Sequence, residues 1–140
     1  MEEIALDTYV FLDLFSGDSR LEGKVKTYME KVMEGKIKAV ISSTVFSELF
    51  YHVAKKWGVE KADERVSFIT SYPNLRIEPA DNEITVLAGR LRYKYYKNKL
   101  REISYLDCIH LATAILAKCK KFVTGDKDFK DVEEIEVEVY

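Results

Sequence analysis

The 140-residue sequence contains no glutamine and only three asparagines, Asn74, Asn82 and Asn98. Charged residues take their place, at 33% of the chain against about 25% in an average globular protein. An amide-poor chain rich in Lys and Glu has the composition of a thermophile protein. Cysteine is scarce too. Cys108 and Cys119 stand eleven positions apart in one predicted helix, about 16 Å along its axis, which exceeds the reach of a disulfide. Two buried thiols in a reducing compartment are therefore expected. No apolar run approaches the roughly 18 residues of a membrane-spanning helix. The N-terminus lacks the basic start and apolar centre of a secretion signal, so a soluble, cytoplasmic protein with no membrane partner is expected. A large charge of one sign is also missing. Lys plus Arg number 22 and Asp plus Glu 24, a net charge of −2, which excludes a protein that coats nucleic acid by bulk charge. A polyanion would have to meet a local basic patch. With no repeat, linker or low-complexity tract, residues 1–140 read as a single domain large enough to bury a core.

What is present alternates. Ile4-Ala5-Leu6-Asp7 reads as a buried strand with an acid at its tip, and Val10, Phe11, Leu14 and Phe15 follow at helical spacing. Ser16 to Ser19 break that helix before another from Arg20 to Met33, with Gly35 as its stop. Ala39-Val40-Ile41 is a second strand, and Ser42, Ser43 or Thr44 caps a helix from Val45 to Lys56 whose buried stripe runs Val45, Leu49, Val53, Trp57. A helix from Glu60 to Ser71, a turn at Tyr72-Pro73-Asn74 and an alternating edge strand Leu75 to Glu78 come next. Asp81 caps an amphipathic helix carrying Ile84, Leu87, Ala88, Leu91 and Tyr95. Ser104 opens the next helix; Phe122-Val123-Thr124 is a fourth strand, and Ile135, Val137 and Val139 alternate as a last edge strand. The expected fold is α/β, a three-layer α/β/α sandwich with a mostly parallel central sheet of about five strands.

Acids stand at the ends of these elements. Asp7 ends the first strand, Asp126 follows the fourth, and Glu48 and Asp107 lie in the first turns of helices entering from the same side. Carboxylates crowded together repel and raise one another's pKa, so such a cluster normally holds cations. All-oxygen ligands suit Mg2+ or Mn2+. One or two such ions can activate water and stabilise the leaving oxygen of a phosphodiester, so phosphodiester hydrolysis is the implied reaction. Thr8 is placed to orient Asp7, and Ser104 to cap the helix of Asp107. His110, one turn beyond Asp107, reads as a partly buried, hydrogen-bonded histidine and, secondarily, as a group touching substrate phosphate or a metal-bound water. Asp128 shares the turn of Asp126, where short acids are common for local reasons. A phosphoryl-transfer protein built on Asp7 is disfavoured: a haloacid-dehalogenase-like phosphatase shows Asp-x-Asp there, and position 9 is Tyr. A receiver domain's paired acids after the first strand and acceptor Asp after the third are also missing.

Leu6-Asp7-Thr8, Ser47-Glu48-Leu49, Leu106-Asp107-Cys108-Ile109-His110-Leu111-Ala112-Thr113-Ala114 and Val123-Thr124-Gly125-Asp126-Lys127-Asp128-Phe129 together resemble the motifs of the PIN-domain nucleases. Within that family they are most similar to the toxin-like (VapC-type) ribonucleases of toxin-antitoxin pairs, across nearly the whole chain. The resemblance implies a metal-dependent endoribonuclease in which Asp7, Glu48, Asp107 and Asp126 bind Mg2+ or Mn2+. It makes Thr124 the polar residue before the fourth acid, and Asp128 an outer helper. Tyr9 departs from the small polar residue often found after the Asp-Thr pair, which bears on access to the metal site. A catalytically silent PIN-like module that binds RNA or protein is the alternative.

Substrate contact is expected from Arg90 to Arg101, RLRYKYYKNKLR, where Arg90, Arg92, Lys94, Lys97, Lys99 and Arg101 interleave with three tyrosines and no acid. Cations track an RNA backbone while tyrosines stack on unpaired bases; a solvated helix end accounts for the same residues. A small antitoxin protein is a partner by resemblance only. The helices between Phe11 and Val53 carry enough apolar residues for a partner helix or a second copy, and a homodimer is expected, although core packing explains the same residues. The composition itself makes a prediction: thermal unfolding should lie above the about 45–65 °C of mesophile domains, and a midpoint inside that range would refute the thermophile reading.

Overall fold

A parallel strand covered on both faces must send apolar side chains both ways, and the central strands do. The computed structural model describes residues 2–140. It contains five strands, β1 (Glu3–Leu6), β2 (Lys38–Ser42), β3 (Leu75–Glu78), β4 (Lys121–Thr124) and β5 (Glu136–Val139). They lie in the order β3-β2-β1-β4-β5, with every neighbouring pair parallel. The helices are α1 (Thr8–Leu14), α2 (Ser19–Met33), α3 (Val45–Trp57), α4 (Val59–Thr70), α5 (Asn82–Tyr95) and α6 (Tyr105–Leu116), with a 3-10 turn at Lys127–Phe129. Ile4, Leu6, Ala39, Ile41 and Val123 pack in one core with residues of α1 to α4. Their sequence neighbours Ala5, Val40 and Phe122 pack in a second core with α5 and α6. The period-two alternation thus separates the helices into two layers around the sheet, as expected.

Local chemistry sets the boundaries. Asp18 accepts the Arg20 N–H at 2.9 Å to start α2. Gly35, at φ 77°, takes the left-handed conformation just after its end and donates to the Val32 carbonyl. Asp81 accepts the Ile84 N–H at 3.0 Å to start α5. Gly58 at φ 95° ends α3 and turns directly into α4. The two strands whose patterns alternate, β3 and β5, do lie at the sheet edges.

Two local expectations fail. Trp57 does not continue the buried stripe of α3 and is 44% exposed, because the helix ends at that residue and Gly58 redirects the chain. Cys119 is not in the helix of Cys108: α6 stops at Leu116, and Cys119 follows a left-handed Lys118. Both thiols are nonetheless buried and free, and burial pushes Cys108 up to about 12 and Cys119 up to about 11. No helix among the described residues is long and apolar enough to cross a membrane.

Phe122 is fully buried, and its ring centroid lies 4.9 Å from that of Phe129. It therefore joins β4 to the turn that carries Asp126. Phe122→Ala should cost about 3–5 kcal/mol of unfolding free energy, measured by urea denaturation; a loss below about 1 kcal/mol, the range of a surface change, would contradict this packing.

Candidate acidic active site

The strand order reverses at β1, since the chain leaves it toward β2 and returns on its other flank at β4. Loops that diverge from such a point open a crevice at the carboxyl ends of the strands. Asp7 stands there. Its N–H continues the ladder to the Val123 carbonyl at 3.0 Å, and its carboxylate is 1% exposed. Oδ1 accepts the Thr8 N–H at 2.8 Å, capping α1, and Oδ2 accepts the Thr124 hydroxyl at 2.6 Å. Thr124 Oγ1 in turn accepts the Asp126 N–H at 3.0 Å, and Asp126 Oδ1 accepts the Asp128 N–H at 2.9 Å to begin the 3-10 turn. Gly125 lets Tyr140 lie across this loop: a Cβ there would sit 3.0 Å from the Tyr140 hydroxyl, which donates to Asp13.

Asp107 arrives from the other face. It is the third residue of α6 and completes a capping box with Ser104: Ser104 N–H donates to Asp107 Oδ2 at 2.9 Å, and Asp107 N–H to Ser104 Oγ at 3.1 Å. Glu48 belongs to a second network, which meets that of Asp7 at Thr8. Its Oε1 accepts the Thr8 hydroxyl at 2.8 Å and lies 2.6 Å from Nε2 of the buried His110. An ionised carboxylate only accepts, so Nε2 carries the proton by this assignment. Nδ1 faces the Thr44 hydroxyl at 3.4 Å, which pairs with Ser42 at 2.8 Å. His110 is thus hydrogen-bonded, and more deeply buried than the partly buried histidine expected. Thr44 and Ser42 look like nothing more than helix caps in the sequence. Their position at the tip of β2, beside β1, is the signal that could have placed them near His110.

Burial pushes Asp7 up to about 6; the positive charge of His110 and the Thr124 hydroxyl oppose the rise, and Asp107 adds to it. Asp107 is likewise raised by burial, opposed by its Ser104 bonds and reinforced by Asp126. Glu48 moves down: burial pushes it up, but its bond to His110 and that imidazole's charge outweigh this. His110 rises despite burial because Glu48, Asp7 and Asp107 favour its cation. The Tyr9 phenol is raised by partial burial and by Asp126, Asp7 and Asp107, so the residue that departs from the motif borders the acids. Asp7, Asp107 and Asp126 therefore share one field.

The donor set suits a hard cation. Glu48, Asp107 and Asp126 each have one carboxylate oxygen held by hydrogen bonds, which orients the group and leaves its other oxygen for a ligand. Among the described residues no three His, Cys, Asp or Glu side chains are grouped tightly enough to chelate an ion as they stand.

The sequence matches the PIN domain over residues 4–135. The chain belongs to the PIN domain family. Comparison with curated proteins gave no match. Among solved structures, this PIN domain is similar to Mycobacterium tuberculosis VapC20, a sarcin-ricin-loop-cleaving toxin, at 19% identity and TM-score 0.73, over 95% of this chain and 98% of that one. It is also similar to VapBC2 from Rickettsia felis, bound to a promoter DNA fragment, at 21% identity and TM-score 0.69, over 97% of each chain. DNA-bound VapBC from Salmonella typhimurium gives 20% identity and TM-score 0.67, over 99% and 98%. At such identities the likeness is one of fold.

The basic stretch of this PIN domain divides. Lys94 bridges to Glu133 and Glu134 at 3.2 and 3.0 Å, and Arg101 donates to the Lys130 carbonyl, so Lys94 fastens α5, and Arg101 the loop after it, to the segment before β5. Arg90, Lys97 and Lys99 are exposed. Arg92 lies between two tyrosine rings.

The raised Asp7 fixes the sign of a pH effect. The folded state holds this proton more tightly than the unfolded chain, so stability is full below about pH 4 and is lost as pH rises through about 6. In EDTA, Asp7→Asn should therefore gain on the parent by about 3 kcal/mol between pH 4 and pH 7.5, for two pKa units. Melting curves across pH 4 to 8 check this: the gain should vanish toward pH 4, and a pH-independent difference would refute it.

Proposed function

We propose that the protein is an endoribonuclease that hydrolyses RNA phosphodiester bonds with Mg2+ or Mn2+ held by Asp7, Glu48, Asp107 and Asp126, and that it is the toxin of a pair with a small antitoxin. The observation that carries the reading is the placing of a buried, raised carboxylate at the strand-order reversal, within the field of Asp107 and Asp126. A buried acid of this kind weakens the empty fold, and a cation would remove that cost. Membership of the PIN family supports the reaction, and the VapBC complexes among the structural relatives support an antitoxin partner.

When bound, a divalent ion lowers the pKa of an attacking water and offsets charge on the leaving oxygen. The chain's own groups hold the geometry. Thr124 fixes Asp7 through Oδ2 and Asp126 through its N–H, so one hydroxyl sets the spacing of two acids. His110 and Thr8 hold Glu48 ionised, with Oε2 free for the cation. Ser104 orients Asp107. Exposed Arg90, Lys97 and Lys99 offer charge to the phosphate backbone.

Purified protein with Mn2+ should cleave single-stranded RNA, and EDTA should stop it. Asp7→Asn and Asp107→Asn should abolish cleavage, and Mn2+ should raise the melting temperature of the parent but not of Asp107→Asn. Thr124→Val should lower activity by about 10–100-fold, the usual effect of a group supporting a metal ligand. Cleavage retained by Asp7→Asn would remove the assigned site. A protein that binds RNA but cleaves none with either metal would instead be the silent module.

A further inference from the structure

Four aromatic or planar side chains meet on the surface where α5 ends and α6 begins. The Arg92 guanidinium lies 4.3 Å from the centroid of Tyr96 and 4.2 Å from that of Tyr105, and its Nε donates to the Ile103 carbonyl at 3.3 Å. Together with Tyr93 and Gly89 they line a cavity of about 410 Å³, within the roughly 300–1,000 Å³ range of small-molecule sites. Burial does not explain these rings. Tyr93 is 93% exposed and Tyr105 65%, whereas Tyr95, between them in sequence, is buried and bonded to Glu134. Gly89, one helical turn before Tyr93, leaves the floor open: a Cβ there would meet nothing within 4 Å.

We propose that this cavity is a stacking subsite for one unpaired nucleobase of single-stranded RNA. Four features converge on that occupant. Tyrosine rings are surfaces on which unpaired bases stack, and Tyr93 and Tyr105 are the most exposed ones here, the Arg92 guanidinium being already covered by Tyr96 and Tyr105. Arg92 is already clamped, so little conformational freedom is lost on binding. The segment Arg90 to Arg101 carries no acid, and Arg90, Lys97 and Lys99 along it are exposed, available to the phosphates of a bound strand. Tyr105 stands on the first turn of α6, the turn that also carries Asp107, so the cavity and one of the acids share a helix end. The inference rests on the nuclease reading for its substrate, yet the role it gives these rings is a separate one. A base from an unpaired stretch of the strand is gripped here, whichever nucleotide of that strand reaches the carboxylates. Stacking is tolerant of base identity, so the site selects unpaired strand over duplex rather than one sequence.

The test uses a short oligoribonucleotide carrying the fluorescent base aminopurine, in EDTA so that binding is read without cleavage. Stacking on the rings should quench the fluorescence of a single strand, and duplex RNA should compete poorly. The double variant Tyr93→Ala, Tyr105→Ala should weaken binding about tenfold or more, the Phe counterparts should retain it, and Gly89→Leu should weaken it by filling the floor with every ring in place. Unchanged affinity in the Ala variant, no quenching by the parent, or equal competition by duplex would overturn the proposal. So would a change in particle mass on removing the tyrosines with no change in RNA affinity, which would assign the rings to a protein contact. Cleavage in Mn2+ separates the two readings. Quenching without cleavage leaves the subsite and removes the nuclease; cleavage whose KM and kcat ignore the Tyr variants leaves the nuclease and removes the subsite.

Discussion

The hydrogen bond from Thr124 to the buried carboxylate of Asp7 joins β1 to β4 at the point where the strand order reverses, and much of the molecule exists to put those two residues side by side. The parallel ladder sets Leu6 opposite Val123, so the residues that follow emerge together at the carboxyl edge. Holding that register requires both faces of the sheet to be filled, which the alternating Ile4, Ala5 and Leu6 accomplish by serving two cores in turn. Phe122 and Phe129, packed against each other, then anchor the loop that brings Asp126 back over the edge.

The same edge holds carboxylates in opposite electrostatic conditions. Asp7 is deep and is raised toward neutrality by desolvation. Glu48, less buried, is kept charged by an imidazole that its own charge helps to protonate. The Glu48–His110 pair and the Asp7–Thr124 pair meet at Thr8, whose N–H serves Asp7 while its hydroxyl serves Glu48. Among the described residues no buried side-chain nitrogen or oxygen is left without a hydrogen-bond partner. The strain in the site is therefore one of charge rather than of unmet hydrogen bonds, and charge is what a cation relieves.

Much of the fold is legible in the chain. Strands with no polar positions announce a buried parallel core, alternating ones announce edges, and Asp81 and Ser104 mark helix starts, because each of these signals acts within a few residues. Asp7, Asp107 and Asp126 are each legible as acids at element ends, because strand tips and helix starts are local features. Trp57 departs from its expected place because hydrophobic period says where a side chain points and nothing of where its helix stops. Cys119 departs for the same reason.

The division follows from distance along the chain. Composition, period and capping residues by themselves determined an α/β sandwich, its layers and the edge on which the acids gather, since these depend on local backbone preference and on burial averaged over an element. Only the tertiary structure decided that Glu48 is paired with His110, sixty-two positions away, and that six basic residues of one run have separate fates, with Lys94 tied to Glu134 and Arg92 clamped between Tyr96 and Tyr105. Hydrogen bonds and ring contacts act over a few ångströms. Which groups fall within that range depends on how helices pack across the sheet, and no pattern within one element encodes it.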